Sequence, residues 1–117
     1  MHTEPELFFQ ILADSTRLRI SMLLEAHGEL CVCELTHALA LSQPKISRHL
    51  GLMREAGLVQ TRRAGRWMYY RLDSGLQPWM QDALDLILEG VAELSPYKED
   101  AHMLAEMPNR PGASCCA

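Results

Sequence analysis

The spacing of apolar residues changes period at Gly57, and this switch confines the chain to a mainly α fold carrying one small β-hairpin. Before Gly57 the spacing is helical. Leu7, Phe8, Ile11 and Leu12 mark a first short helix, and Asp14-Ser15-Thr16 offers capping oxygens to a second, which Leu18, Ile20, Met22, Leu23 and Leu24 make a largely buried helix. Gly28 is placed to close that helix, since glycine takes a left-handed conformation without a Cβ penalty. A third helix is expected over residues 31–41, with Leu35 and Leu39 one turn apart. Ser42 caps a fourth over about 43–56, with Pro44 in its first turn, where a missing N–H costs little. After Gly57, residues 58–63 and 67–72 are β-prone runs joined through Ala64-Gly65. In the second run Met68, Tyr70 and Leu72 fall on one face, and Trp67, Tyr69 and Arg71 on the other. A long amphipathic helix over 76–94 follows, with Asp82, Asp85, Glu89 and Glu93 as an acidic stripe. Residues from Pro96 onward read as a mobile tail ending in Cys115-Cys116-Ala117, which divides the chain into a domain over 1–95 and a tail over 96–117.

At 117 residues and 48% hydrophobic content the chain suits one domain, of a size that gains stability by oligomerising. No apolar run approaches the 18 residues of a membrane span, and the start of the chain lacks a basic region followed by an apolar stretch. A cytoplasmic protein whose four cysteines stay as thiols is the expectation.

Charge is informative by region. The whole chain carries −4, yet from Lys45 to Arg71 seven basic residues face only Glu55. A basic middle between acidic ends fits a domain that turns one face to phosphates. The third and fourth helices have the dimensions of a helix-turn-helix. Ile46, Leu50 and Met53 hold the fourth to the core, while Pro44, Ser47, Arg48 and Gly51 lie outward, small enough for close approach to a major groove. Arg48 can donate twice to a guanine edge and Gln43 can pair with adenine, while Ser42, Lys45 and the helix N-terminus can hold phosphates. His49, at the flank, is a candidate for DNA or for its own scaffold. Arg62, Arg63 and Arg66 cluster toward the hairpin tip, as in a winged helix-turn-helix. Trp67, Tyr69 and Tyr70 read as hairpin packing rather than base-stacking platforms, which serve mainly single strands.

Cys31-Val32-Cys33 opens the third helix and is the sharpest chemical signal. Thiolates select thiophilic ions, and a helix N-terminus is expected to lower a thiol's pKa. On a regular helix, residues i and i+2 point about 200° apart, so two such sulfurs cannot easily share an ion. In extended backbone they share a face. Ion binding is therefore expected to unwind the first turn of the third helix, which packs on the reading helix. Zinc wants four ligands, and a lone C-x-C serves it poorly. Trivalent arsenic or antimony needs one sulfur more, for which Cys115 and Cys116 are candidates; His37 reads as a solvated helix residue.

The segments Glu29-Leu30-Cys31-Val32-Cys33-Glu34-Leu35, Ser42-Gln43-Pro44-Lys45-Ile46-Ser47-Arg48-His49-Leu50 and Tyr70-Arg71-Leu72 resemble the arsenic-repressor branch of the ArsR/SmtB family. The resemblance covers about residues 6–73, and the last helix matches in pattern alone. It implies a homodimeric winged-helix repressor that leaves its double-stranded operator when trivalent arsenic or antimony binds cysteine thiolates, with no other cofactor required. It also implies a dimer interface built from the first and last helices. One departure stands out: arsenic repressors of this kind often carry a third cysteine where this chain has Thr36. Zinc-sensing relatives use aspartate and histidine on the last helix, and this one has no histidine before His102. Two other functions compete: a thiol redox sensor on the same fold, and a metalloid-sequestering protein whose basic face is incidental. No nucleophile–base pair or phosphate loop suggests an enzyme.

Overall fold

A computed structural model describes residues 3–108 and 110 of the chain. Helix α1 (Pro5–Leu12) starts on a proline at its first turn, and α2 (Ser15–His27) starts where Asp14 accepts the Arg17 backbone N–H at 3.0 Å. Gly28, at φ +84°, ends α2 and turns the chain into a short strand, β1 (Glu29–Cys31). Helix α3 (Val32–Leu39) follows at once and closes on Ala40, a non-glycine residue at φ +57° whose N–H bonds to the Thr36 carbonyl. The Ser42 hydroxyl then accepts the Lys45 N–H, and α4 (Gln43–Glu55) begins.

Gly57, at φ +82°, breaks α4 at the switch in period. A Cβ there would stand 2.8 Å from the Thr3 hydroxyl, which itself donates to the Ala56 carbonyl at 2.9 Å. Strands β2 (Val59–Ala64) and β3 (Trp67–Leu72) form the hairpin, with Arg62 opposite Tyr69 and Ala64 opposite Trp67. β1 pairs antiparallel along the other edge of β3, placing Cys31 opposite Tyr69, so the sheet order is β1-β3-β2. Helices α5 (Pro78–Val91) and α6 (Tyr97–Ala105) complete the chain. The core joins Phe8, Ile20, Leu24, Leu30, Leu35, Ile46, Leu50, Met53, Leu58, Met80, Leu84 and Leu104, all fully buried. The mainly helical winged helix-turn-helix expected from the sequence is the architecture observed: α3 and α4 form the paired helices and β2–β3 the wing. Among the described residues no helix is long and apolar enough to cross a membrane.

Two expectations are corrected. The third helix begins at Val32 rather than at residue 31, because Glu29, Leu30 and Cys31 are drawn into the sheet by β3, and it stops at Leu39, where Ala40 turns left-handed. The segment from 96 onward is not all tail, since residues 97–105 form α6. Asp100 is 3% exposed and receives both the Nε (2.9 Å) and an Nη (2.7 Å) of Arg19 on α2, and Arg19 also donates to the Leu39 carbonyl at the end of α3. Leu104 is fully buried and Tyr97 packs on the core. Cys115 and Cys116 lie outside the described residues.

Candidate functional site

Two surfaces meet at the start of α3. One is the outer face of α4 with the wing. Gln43, Pro44, Lys45, Ser47, Arg48 and Gly51 are exposed, while Ile46, Leu50 and Met53 are buried, so the helix presents the outward set expected of it. Ser42 is exposed and caps the helix, leaving its other lone pair and the helix N-terminus turned to solvent. Lys45, Arg48 and Arg63 form no ion pair with another described residue. Arg66 sits in the tight turn, its guanidinium 5.7 Å from the centre of the Trp67 ring.

Two candidate DNA contacts are placed otherwise. His49 is 7% exposed and faces the scaffold: its Nδ1 lies 3.4 Å from an Arg17 Nη and 3.9 Å from an Asp14 oxygen. Burial pushes its pKa down, helped by the nearby charges of Arg17, Arg48 and Lys45 and opposed by Asp14. A neutral imidazole accepting from Arg17 suits those neighbours. Arg62 is exposed but occupied. It crosses the Tyr69 ring at 4.9 Å and grips Glu29 through two hydrogen bonds, of 2.6 and 3.1 Å. The wing is thereby tied to β1, and the Glu29 carboxyl is held below its ordinary range.

The second surface is the thiol pair. Cys31 closes β1 in extended backbone (φ −90°, ψ 167°), and Cys33 lies in the first turn of α3. Their sulfurs are 2.7 Å apart and both are thiols. The conflict expected of two residues on one helix does not arise, because Cys31 belongs to the strand: the sulfurs converge without unwinding anything. The Glu34 carboxylate accepts the Cys31 backbone N–H at 2.9 Å and the Arg110 Nε at 2.8 Å, so a buried charge is paired and α3 is capped at once. The expectation of a lowered thiol pKa fails at Cys31, where burial outweighs the hydrogen bonds and pushes the thiol up. Thr36 donates to the Cys33 carbonyl at 2.9 Å. Among the described residues no three His, Cys, Asp or Glu side chains are grouped to hold an ion.

A groove of about 410 Å³ joins the two surfaces. Cys31, Val32, Cys33 and Thr36 line one side, Gln43 at the start of α4 another, and Arg66, Trp67 and Met68 of the wing the third. The sequence reading missed this adjacency. The strand that creates it is three residues long, too short for periodicity to reveal, although Leu30 between polar Glu29 and the thiols carried an alternation.

Comparison with known proteins agrees with this geometry. Residues 14–61, from the α2 cap into β2, match the family described as bacterial regulatory protein, arsR family. An arsenic resistance transcriptional regulator of Pseudomonas putida is 53% identical over 112 residues, covering 92% of this chain and 82% of that protein. The arsenical resistance operon repressor of Escherichia coli is 53% identical over 81 residues, 69% of each chain. In structure, a homodimeric winged helix-turn-helix DNA-binding domain from Mycobacterium bovis, described as a possible ArsR-family transcriptional regulator, superposes with a TM-score of 0.62 at 27% identity, over 75% of this chain and 78% of that one. An exposed reading helix beside a wing, on a scaffold shared with these regulators, makes this chain a member of the arsR family of bacterial transcriptional regulators, and not an enzyme.

Proposed function

We propose that the protein is a metalloid-responsive repressor. It binds double-stranded operator DNA and is released when trivalent arsenic or antimony binds Cys31 and Cys33. The observation that carries this reading is the pair of sulfurs 2.7 Å apart in a groove shared by the reading helix and the wing. Ser42, Gln43, Lys45, Ser47, Arg48, Arg63 and Arg66 are the DNA contacts in this reading, with Arg48 and Gln43 facing base edges. His49 and Arg62 serve the scaffold instead. Cys115 or Cys116 supplies the third sulfur to an inorganic ion. Arg110, whose Nε donates to Glu34 beside Cys33, brings the chain back to the thiol corner shortly before Cys115 in the sequence.

The coupling differs from an unwinding of α3. Bonds from sulfur to a bound ion run ~2.3 Å, as for zinc, so two sulfurs on one ion stand well over 3 Å apart. The pair must therefore open. Cys31 belongs to the sheet opposite Tyr69 of the wing and Cys33 to the helix packed on α4, so an ion held by both sulfurs ties wing and reading helix together. The names of the Pseudomonas putida and Escherichia coli relatives support arsenic as the effector.

A homodimer is part of the proposal. Phe9 on α1 is 55% exposed, and Trp79 (39%) and Leu86 (66%) on α5 continue the same apolar kind of surface, with the Phe9 and Trp79 rings 6.2 Å apart. The mass in solution, by light scattering, checks this.

The main test is titration of arsenite into the protein bound to DNA from its own upstream region. The expected result is release, and loss of release in Cys31→Ser/Cys33→Ser with DNA affinity kept. Release of that double variant at unchanged arsenite concentration would overturn the assignment. The short sulfur separation also favours a second reading, oxidation: a peroxide takes two electrons from the thiols, giving a disulfide, an alcohol and water. Release by peroxide, reversed by reductant and insensitive to arsenite, selects it.

A further inference from the structure

Helices α2, α5 and α6 leave between them a cavity of about 170 Å³ that neither the thiol corner nor the reading surface uses. Met22, Leu23, Leu88 and Tyr97 give it an apolar lining. Each of the three segments also contributes an alanine where a larger side chain would fill the space: Ala26 on α2, Ala92 at the end of α5 and Ala101 on α6. Two charged residues reach the cavity, Arg19 and Asp100, and they are bonded to each other. We propose that this cavity is a second ligand site, for a compact, uncharged, apolar molecule the size of one aromatic ring.

Size, charge and access select that class. An apolar cavity of ~150 Å³ holds benzene, so the space here suits one ring with a small substituent. Because Arg19 and Asp100 already satisfy one another, a charged ligand would give up its hydration and find no partner. Leu88 stands two residues from Leu86, about 200° around α5, so the cavity lies on the other side of that helix from the surface assigned above to a second copy. Ala26 is exposed at its mouth. A ring seated there packs against the α6 clasp. Arg19 lies both in the cavity wall and on the Leu39 carbonyl, so occupancy stiffens the end of α3, the helix that precedes the reading helix.

Toluene is the probe, and benzoate its charged counterpart. Each is titrated into full-length protein carrying ¹³C-methyl methionine and followed by NMR. The Met22 methyl should shift saturably with toluene, with a dissociation constant on the order of 0.1–1 mM, while Met68 of the wing stays in place. Benzoate should bind at least about tenfold more weakly. The melting temperature should rise by about 5 °C once free toluene stands about tenfold above its dissociation constant. Ala101→Leu fills the cavity and should abolish both responses. Ala26→Leu, at an exposed position that spares the core, should weaken toluene by at least about tenfold and keeps the test open if Ala101→Leu does not fold. A Met22 methyl that stays unmoved up to the solubility limit of toluene overturns the proposal. Toluene affinity unchanged in the folded variants, or equal affinity for benzoate, overturns it as well. None of these outcomes touches the thiol site, which arsenite release tests separately.

Discussion

The outer face of α4 and the thiol corner are neighbours across one groove, yet they are built on opposite principles. On α4 the functional groups are exposed, and Lys45 and Arg48 pair with no other described residue. At the thiol corner nearly everything is committed: Cys31 is buried in a strand, its N–H is held by Glu34, Glu34 by Arg110, and the end of α3 by Arg19 and Asp100. A surface that must meet phosphates keeps its charges solvated, because neutralising them internally would remove the attraction. A site that must report on an ion needs its ligands placed beforehand and joined to elements that move as units. In the proposed repressor, availability on one side and constraint on the other are what would let an ion at the thiols act on the DNA-facing surface.

The largest way to break this contrast is at α6. Asp100→Ala leaves Arg19 facing a buried gap, and the loss of one partner from such a pair costs about 3 kcal/mol. Urea unfolding should show that loss. Because Arg19 also holds the last turn of α3, the concentration of arsenite needed for DNA release should rise as well. A variant that unfolds more easily yet responds to arsenite normally would show that the thiol corner does not depend on the α6 clasp.

Arg48→Ala sharpens the other half. Removing a bidentate base contact costs about 1–3 kcal/mol of operator affinity and relaxes sequence preference at one position. Stability should barely change, since Arg48 is exposed and holds no described partner. Arsenite affinity of the free protein, by calorimetry, should be unchanged. A shift in it would mean that the two surfaces share more than a groove.

Behind that face, His49 gives a pH test. Its folded pKa lies below the ordinary value, so the folded state keeps the ring neutral while the unfolded chain takes up a proton near pH ~6.5. The contribution to stability is therefore complete above that value and falls as pH drops through it, levelling off below the folded pKa. Melting between pH 8 and pH 5 should show the decline, and His49→Gln should flatten it. A decline of equal size in the variant would assign it to other groups.

The contrast between the two surfaces also separates what was legible in the sequence from what was not. The α4 face was legible because it depends on one helix: Ser42 caps, Pro44 starts, Ile46, Leu50 and Met53 point inward, and the rest follows from 100° per residue. The hairpin was legible for the same local reason, through Gly65 and alternation in β3. The thiol corner was not, because its geometry is set by pairing of Cys31 with Tyr69 some forty positions away. The partners of His49 and Arg62 were hidden for the same reason. Each is a polar residue whose partner (Arg17 or Glu29) comes from another element. Helix α6 left a trace in Tyr97, Ala101 and Leu104 at helical spacing, but Pro96 before it and polar residues around it read as tail.

The smallest effect is the one that divides the two surfaces at their boundary. Arg62 lies on the wing, with the charge of a DNA contact, but is bonded to Glu29 at the entrance to the thiol strand. As a scaffold residue it should matter little to stability, because an exposed ion pair is screened by water and salt. Arg62→Ala should then lower the melting temperature slightly and leave DNA affinity almost intact. Glu29→Gln separates the roles further, since it weakens the grip on Arg62 while leaving the arginine in place. If Arg62 belongs to the scaffold, Glu29→Gln repeats the small loss of stability with no gain in DNA affinity. If releasing Arg62 strengthens binding and steepens its salt dependence by about one phosphate contact, then the arginine belongs to the reading surface, and Glu29 holds it back in the unbound protein.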